Sequence, residues 1–260
     1  MPNYLLRLSF DGTNYHGWQL QEHDRTVQGE IERAAAPLFG EAVRASGCSR
    51  TDAGVHANEF ICNFHAKKQM DLSKMRAAMN FYLPDDIAVL ECRTAPEDFH
   101  ARFSCAGKEY VYQIWNGRIR NPFFNARALH INYPLDDALM DRAAKCLIGR
   151  HDFSAFCASG SSAHTTVRTI TDARVVREGD LVCFYVSADG FLYNMVRIMA
   201  GTLIYISNGK IAFSRLPDIV EGGSREDAGY TVPARGLYLN RVFYKEGVLC
   251  PSGAEERTDA

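Results

Sequence analysis

Apolar positions change period several times along the chain, and each change marks an element. Residues 4–10 read as a first strand, ended by Asp11-Gly12. Val27, Ile31, Ala34 and Leu38 then recur at helical spacing, which predicts a helix over 27–39 stopped by Gly40. From 58 to 65 the pattern alternates, with Phe60, Cys62 and Phe64 on one face, as in a half-buried strand. Asp71 can cap a second helix at 72–81, whose apolar side is Leu72, Met75 and Met79. A strand over 87–93 closes a β-α-β-α-β half.

The second half repeats the theme loosely. Residues 108–115 alternate as a strand, and 136–148 form an amphipathic helix stopped by Gly149. The segment 167–177, the turn Glu178-Gly179-Asp180 and the segment 181–187 make a β-hairpin. Helices at 193–207 and 214–221 follow, then a final strand at 236–244. Two strand-helix halves with antiparallel hairpins predict an α+β protein, with mixed, largely antiparallel sheets carrying helices on one face. The boundary is expected near 104–107, giving halves at 1–104 and 105–248, and the polar stretch 249–260 is expected to be disordered. No sequence repeat proves that the halves are duplicates.

Length fits this division, since 260 residues is long for one compact core and comfortable for two halves. Hydrophobic residues make up 47%, charged 23% and aromatic 11%, which is globular and excludes collagen-like, coiled-coil and disordered classes. Mean hydropathy is -0.21, and no apolar run approaches the ~18 residues of a membrane span. The start, Met1-Pro2-Asn3-Tyr4, lacks the basic segment and apolar stretch of a signal peptide, so a soluble, cytoplasmic protein is expected. Eight cysteines, at 48, 62, 92, 105, 146, 157, 183 and 250, include no C-x-x-C pair. That spacing argues against a structural zinc site and for reduced thiols used as small buried apolar groups.

A net charge of -2 looks discouraging for a polyanionic partner, but the distribution changes the picture. The last ten residues carry Glu255, Glu256 and Asp259 against Arg257, which accounts for the whole -2 and leaves the body neutral. Between 100 and 127 stand Arg102, Lys108, Arg118, Arg120 and Arg127 against one acid, Glu109, a local +4. Such a stretch can touch phosphates, although on charge alone it reads more readily as a solvated charged face.

Motifs that would carry other chemistry fail on single residues. Gly12-Thr13-Asn14-Tyr15-His16-Gly17 has the outer spacing of a phosphate loop, but Trp18 and Gln19 stand where Lys and Ser/Thr must be. No G-x-G-x-x-G and no G-x-S-x-G occurs, which removes the commonest dinucleotide and esterase signatures. What remains is Gly47-Cys48-Ser49-Arg50-Thr51-Asp52-Ala53-Gly54-Val55-His56-Ala57. Small neighbours there let a bulky ligand approach the backbone, and a nearby guanidinium would keep Asp52 ionised. Taken alone, Arg50 and Asp52 read more as a structural ion pair at a turn than as a nucleophile and its helper.

The run S-R-T-D-A-G-V-H-A at 49–57 closely resembles the G-R-T-D-A-G-V-H signature of the tRNA pseudouridine synthase A family. The resemblance covers nearly the whole chain, with F-D-G-T-N-Y-H-G-W-Q at 10–19, T-V-Q-G-E-I-E at 26–32 and L-P-D-D-I-A-V at 83–89. Further on come F-H-A-R-F-S at 99–104, K-E-Y-V-Y at 108–112, H-D-F-S-A-F at 151–156, F-L-Y-N-M-V-R at 191–197 and G-L-Y-L at 236–239. Ser49 departs from the family glycine before the arginine; it can stiffen the turn but leaves the chemical groups in place.

The resemblance implies a pseudouridine synthase fold with a cleft between the halves, and isomerisation of uridine to pseudouridine at tRNA positions 38, 39 and 40 in the anticodon arm. It implies no redox cofactor, nucleotide cofactor or metal, because nothing is oxidised and no group is donated. Asp52 matches the catalytic aspartate, a carboxylate nucleophile, and Arg197 the arginine that pairs with it and keeps it anionic against the cost of burial. Arg50 matches the arginine that helps turn the target nucleotide out of its stem. Tyr110 matches the tyrosine that stacks on the flipped uracil and can help remove the C5 proton, while Tyr112 on the same face reads as packing. Leu237 resembles a hydrophobic wall of the pocket. Arg102, Lys108, Arg118 and Arg120 are the candidates for phosphate contacts, since duplex RNA is read by shape more than by base edges. The family also implies a homodimer that pools its basic surface on one tRNA.

Overall fold

The computed structural model describes residues 1–161, 163–245 and 248, so the expectation for 249–260 lies outside the described residues. The chain is α+β and divides into two units, one formed by Met1–Ala106 with the described residues from Arg241 on, the other by Gly107–Asn240.

In the first unit the strands are β1 (Asn3–Phe10), β2 (Ser46–Gly47), β3 (His56–His65) and β4 (Ile87–Ala95), with helices α1 (Val27–Phe39) and α2 (Leu72–Tyr82). β1 lies between β4 and β3, antiparallel to both, and β2 is antiparallel to β3. α1 begins where Thr26 accepts the Gly29 N–H and ends at Gly40, whose φ of 69° is the left-handed cap that glycine adopts without strain. α2 begins where Asp71 accepts the Lys74 N–H. Val27, Ile31 and Ala34 on α1 and Met75 and Met79 on α2 are buried, as the helical spacing requires, while Leu38 and Leu72 are half-buried and Phe39 rather than Leu38 ends the α1 face. The core is aromatic: Tyr4, Phe39 and Phe64 form one cluster and Phe10, Phe60 and Trp18 another. Burial pushes the Cys92 thiol up to about 12, and that of Cys62 well above the usual range.

The second unit contains β5 (Cys105–Trp115, its first two residues still in the first unit), β6 (Leu129–His130), α3 (Asp137–Lys145), β7 (Gly149–Asp152), β8 (Val167–Glu178), β9 (Leu181–Ala188), α4 (Met195–Ser207) and α5 (Leu216–Val220). The order is β5-β9-β8-β7, all antiparallel, with β6 parallel to β5. α3 ends at Lys145 rather than running to Gly149. The N–H groups of Cys146, Leu147 and Ile148 turn to the carbonyls three residues back, which tightens the exit and buries Leu147. Gly149, at φ 126°, opens β7 instead of capping the helix. α4 is buried nearly all round, and it has no polar face to show a helical period.

The last strand, β10 (Leu237–Tyr244), changes units: its first half belongs to the second and its end to the first. In the second, Asn240 Nδ2 donates to Glu109 at 2.6 Å, and Glu109 also meets Arg174 at 3.1 Å. In the first, the Val242 N–H donates to Glu59 of β3 at 3.0 Å and the Tyr244 hydroxyl to the Ala101 carbonyl at 2.7 Å. Among the described residues no helix is long and apolar enough to cross a membrane.

Candidate active site

Asp52 sits in the loop that joins β2 to β3, half-buried, between exposed Arg50 and exposed Ala53. The loop is held by main-chain bonds to the segment after β1. The Trp18 N–H donates to the Thr51 carbonyl at 3.2 Å, and the Gly54 N–H donates to the Tyr15 carbonyl at 3.2 Å, so Asp52 is bracketed on both sides. Within the loop the Val55 N–H closes onto the Asp52 carbonyl at 3.2 Å, and Gly54 takes φ 76° to allow the turn. The Cys48 N–H donates to Ile61 at 2.8 Å and fixes the loop's other end to β3.

Glycines make this approach possible. A Cβ on Gly12 would lie 2.0 Å from the Val55 carbonyl oxygen, one on Gly17 2.2 Å from that of Thr51, and one on Gly47 2.5 Å from the Trp18 indole. His56, the first residue of β3, places its Nδ1 3.0 Å from the Gly12 N and 3.1 Å from the Asp11 carboxylate. Trp18 is 3% exposed and stacks on Phe60 at 4.3 Å. Gly12 and Gly17 therefore seat the segment after β1 against the Asp52 loop, and Gly47 admits the Trp18 indole, so the 12–17 run is a support and not a phosphate cradle. Behind it the Tyr15 hydroxyl donates to Asp86, and burial together with that carboxylate pushes the phenol well above its usual range. The Arg25 guanidinium lies 4.7 Å over the Tyr15 ring. Thr51 is 7% exposed, and its hydroxyl has no hydrogen-bond partner among the described residues.

The second unit holds Tyr110, Arg197, Leu237, Lys108, Arg118 and Arg120. Tyr110 lies on β5 opposite Val186, 6% exposed, with its ring edge-on to Phe191 at 4.9 Å. Three residues after Phe191, Asn194 takes φ 59°, the one non-glycine residue among those described in the left-handed region, and opens α4. Arg197, half-buried in the first turn, donates from Nε to the Val232 carbonyl at 2.7 Å and from Nη1 to Asn194 Oδ1 at 2.7 Å. Two fixed nitrogens set the plane of the guanidinium. The segment 191–197 thus supplies both the ring against Tyr110 and the seat of Arg197. Phe191, Asn194 and Val232 were not singled out from the sequence; for Asn194 a strained cap inside a motif leaves no composition signal.

Tyr112 is fully buried, its hydroxyl donating to the Pro233 carbonyl at 2.8 Å, which makes it packing as expected. Leu237, buried at the start of β10, lies in the same unit. Lys108 is half-buried on β5, opposite Ala188, while Arg118 and Arg120 are exposed. Arg102 is in the first unit, exposed, with its guanidinium 5.9 Å from the Phe103 ring centre. Glu109, the one acid counted in the basic stretch, is 5% exposed and already engaged by Arg174, so it does not offset the outward-facing cations.

Comparison with known proteins gives one consistent result. A family model described as "tRNA pseudouridine synthase" matches residues 8–104 and 143–245. A protein named "tRNA pseudouridine synthase A" from Acetivibrio thermocellus is 48% identical over 94% of this chain and 100% of its own. Proteins of the same name from Clostridium botulinum and Ruminiclostridium cellulolyticum are 46% and 45% identical, with the same coverage of both chains. A solved structure titled "Crystal Structure of a Cbf5-Nop10-Gar1 Complex" shares 13% identity over 92% of this chain and 59% of that one, at a TM-score of 0.32, too low to carry weight.

Proposed function

This chain belongs to the tRNA pseudouridine synthase family, and we propose that it isomerises uridine to pseudouridine at positions 38, 39 and 40 of the anticodon arm, with Asp52 as the nucleophile. It is an isomerase that acts on tRNA. The reaction breaks the C1′–N1 bond, turns the detached uracil, and joins C1′ to C5; the proton lost from C5 balances the one gained at N1. Every atom of the substrate is kept.

A carboxylate nucleophile must be ionised and must hold still while a nucleoside is brought to it. The observation that carries the reading is the seat of Asp52: half-buried, with main-chain bonds to Thr51 and Gly54 on either side. Arg50 and Ala53, which flank the Thr51-Asp52 pair, are exposed and leave the loop open to a ligand. In this reading Arg197 is the partner that keeps Asp52 anionic, and its fixed guanidinium plane supports that role. Arg50 helps displace the target nucleotide, whose removal from a stem costs a few kcal/mol. Tyr110 stacks on the flipped uracil, with Phe191 fixing its ring, and Leu237 walls the pocket. A homodimer would let Arg102, Lys108, Arg118 and Arg120 of two copies share one tRNA.

The test is pseudouridine mapping at single-nucleotide resolution on an unmodified tRNA transcript. The wild-type protein should modify 38, 39 and 40; modification only elsewhere overturns the assignment. Asp52→Asn should lower turnover by about 10⁴-fold or more while tRNA binding survives, and full activity in that variant rules the mechanism out. Tyr110→Phe should slow turnover by about 10²-fold with little change in binding if the hydroxyl handles a proton. Unchanged turnover would leave stacking as its role.

A further inference from the structure

Residues 116–128, between β5 and β6, form the most exposed apolar and basic feature of the second unit. Phe123 is 85% exposed and Ile119 79% exposed, in the run Arg118-Ile119-Arg120-Asn121-Pro122-Phe123-Phe124. Exposure of this kind usually belongs to a floppy segment, but here the loop is anchored. The Phe124 ring stacks on Trp115 at 5.0 Å and 14°, and the Trp115 indole N–H donates to the Ile119 carbonyl at 2.9 Å. One indole therefore holds both arms. Asn121 caps the short 3-10 turn by accepting the Phe123 N–H at 3.0 Å. At the other end Arg127 and Ala128 donate back to Phe124, and the Tyr238 hydroxyl donates to the Arg127 carbonyl. The consequence is a division of labour between adjacent rings: Phe124 faces in and fixes the loop, so Phe123 is held outward.

Three arginines and no carboxylate lie in this loop, and neither Arg118 nor Arg120 has an ion-pair partner among the described residues. Asp180 stands at the base, against Gly117. A second copy of the chain would be a poor occupant, because a two-fold contact would set these guanidiniums against their own copies. A single-stranded nucleic acid offers what the surface lacks: phosphates for the cations and a π-face for the ring.

We propose that residues 118–127 form an RNA-docking prong, in which Phe123 stacks on an unpaired nucleobase and Arg118 and Arg120 neutralise the phosphates beside it. The inference rests on the reading that tRNA is the substrate, and it adds an aromatic contact to what charge alone implied. Ile119, on the arm tied to the same indole, extends the apolar surface offered to the base.

The experiment measures the Kd of an unmodified tRNA transcript across a salt series for the wild-type protein, Phe123→Ala, Phe123→Trp and the double variant Arg118→Ala/Arg120→Ala. Phe123→Ala should weaken binding about tenfold, with the slope of log K against log salt unchanged, because a stacked ring releases no counter-ions. Phe123→Trp should restore the affinity. The double arginine variant should reduce the slope by about 1 to 2, one phosphate contact per side chain. Thermal melts should be unchanged for Phe123→Ala, since so exposed a ring supports little of the core. Wild-type affinity in Phe123→Ala, in a preparation that still makes pseudouridine, overturns the prong and leaves the tRNA reading intact. A changed sedimentation profile with unchanged tRNA affinity also overturns it, and assigns the loop to contact between copies. A wild-type protein that neither binds nor modifies tRNA overturns both.

Discussion

The loop that carries Asp52 and the loop that carries Phe123 are both rigid, and they are made rigid by opposite means. The first is pinned through its main chain: its carbonyls and N–H groups bond to the segment after β1, and glycines at 12, 17 and 47 let the chains meet. The second is pinned through side chains, by the Trp115–Phe124 stack and the Trp115 bond to Ile119. Main-chain pinning fixes where a short side chain such as Asp52 stands, because only one torsion separates its carboxyl carbon from the held backbone. Side-chain pinning fixes where a loop stands and leaves its other face open to a partner. A short carboxylate needs the first kind of support, and a docking surface needs the second.

The sharpest way to break this contrast is to add a single methyl group. Gly12→Ala should cost about 3 kcal/mol, because its Cβ meets the Val55 carbonyl and main chain cannot step aside. A urea midpoint that stays at the wild-type value would show that the loop gives way, and main-chain pinning would lose its meaning. Trp115→Ala, which removes the common anchor of the other loop, should cost about 2 kcal/mol in the same measurement. It should also increase proteolytic nicking within 116–128; an intact, uncut loop would mean that the indole is not its support. Gly40→Ala serves as the control for glycine itself. Its φ is 69° but open space surrounds it, so only the backbone penalty of about 1 kcal/mol is expected. The smallest effect should come from Thr51→Val, within about 0.5 kcal/mol of wild type, since the hydroxyl has no partner among the described residues. A larger loss would mean that Thr51 is held by something other than the described residues.

Helix ends were legible wherever a local device makes them. Thr26 and Gly40 bound α1 at the residues the pattern gives, and Asp71 starts α2, because caps and left-handed glycines act within a few positions of sequence. The end of α3 departs from the pattern: Gly149 predicts a stop there, whereas the chain leaves the helix earlier through bonds to carbonyls three residues back. The two-residue strands β2 and β6 went unseen, as they are too short to show a period. For the candidate site, the residues are proposed from a resemblance, and the main-chain support of their loop is not legible in the sequence. The bonds from Trp18 and Gly54 run between main-chain atoms, which no side-chain pattern records. Glu109 shows the same limit for charge: it counts against the basic stretch locally, yet its partner Arg174 lies 65 residues away.

The split allegiance of β10 sets an order of events on the ribosome. Val242 and Tyr244 reach back to Glu59 and Ala101, so the first unit is finished by residues 183 and 143 positions further along the chain. At ordinary elongation speeds that interval is roughly ten to thirty seconds. During it the nascent chain must keep β3 from pairing with a stranger. A protein truncated before Arg241 would carry Asp52 and its whole loop and still lack the strand that completes the unit around them.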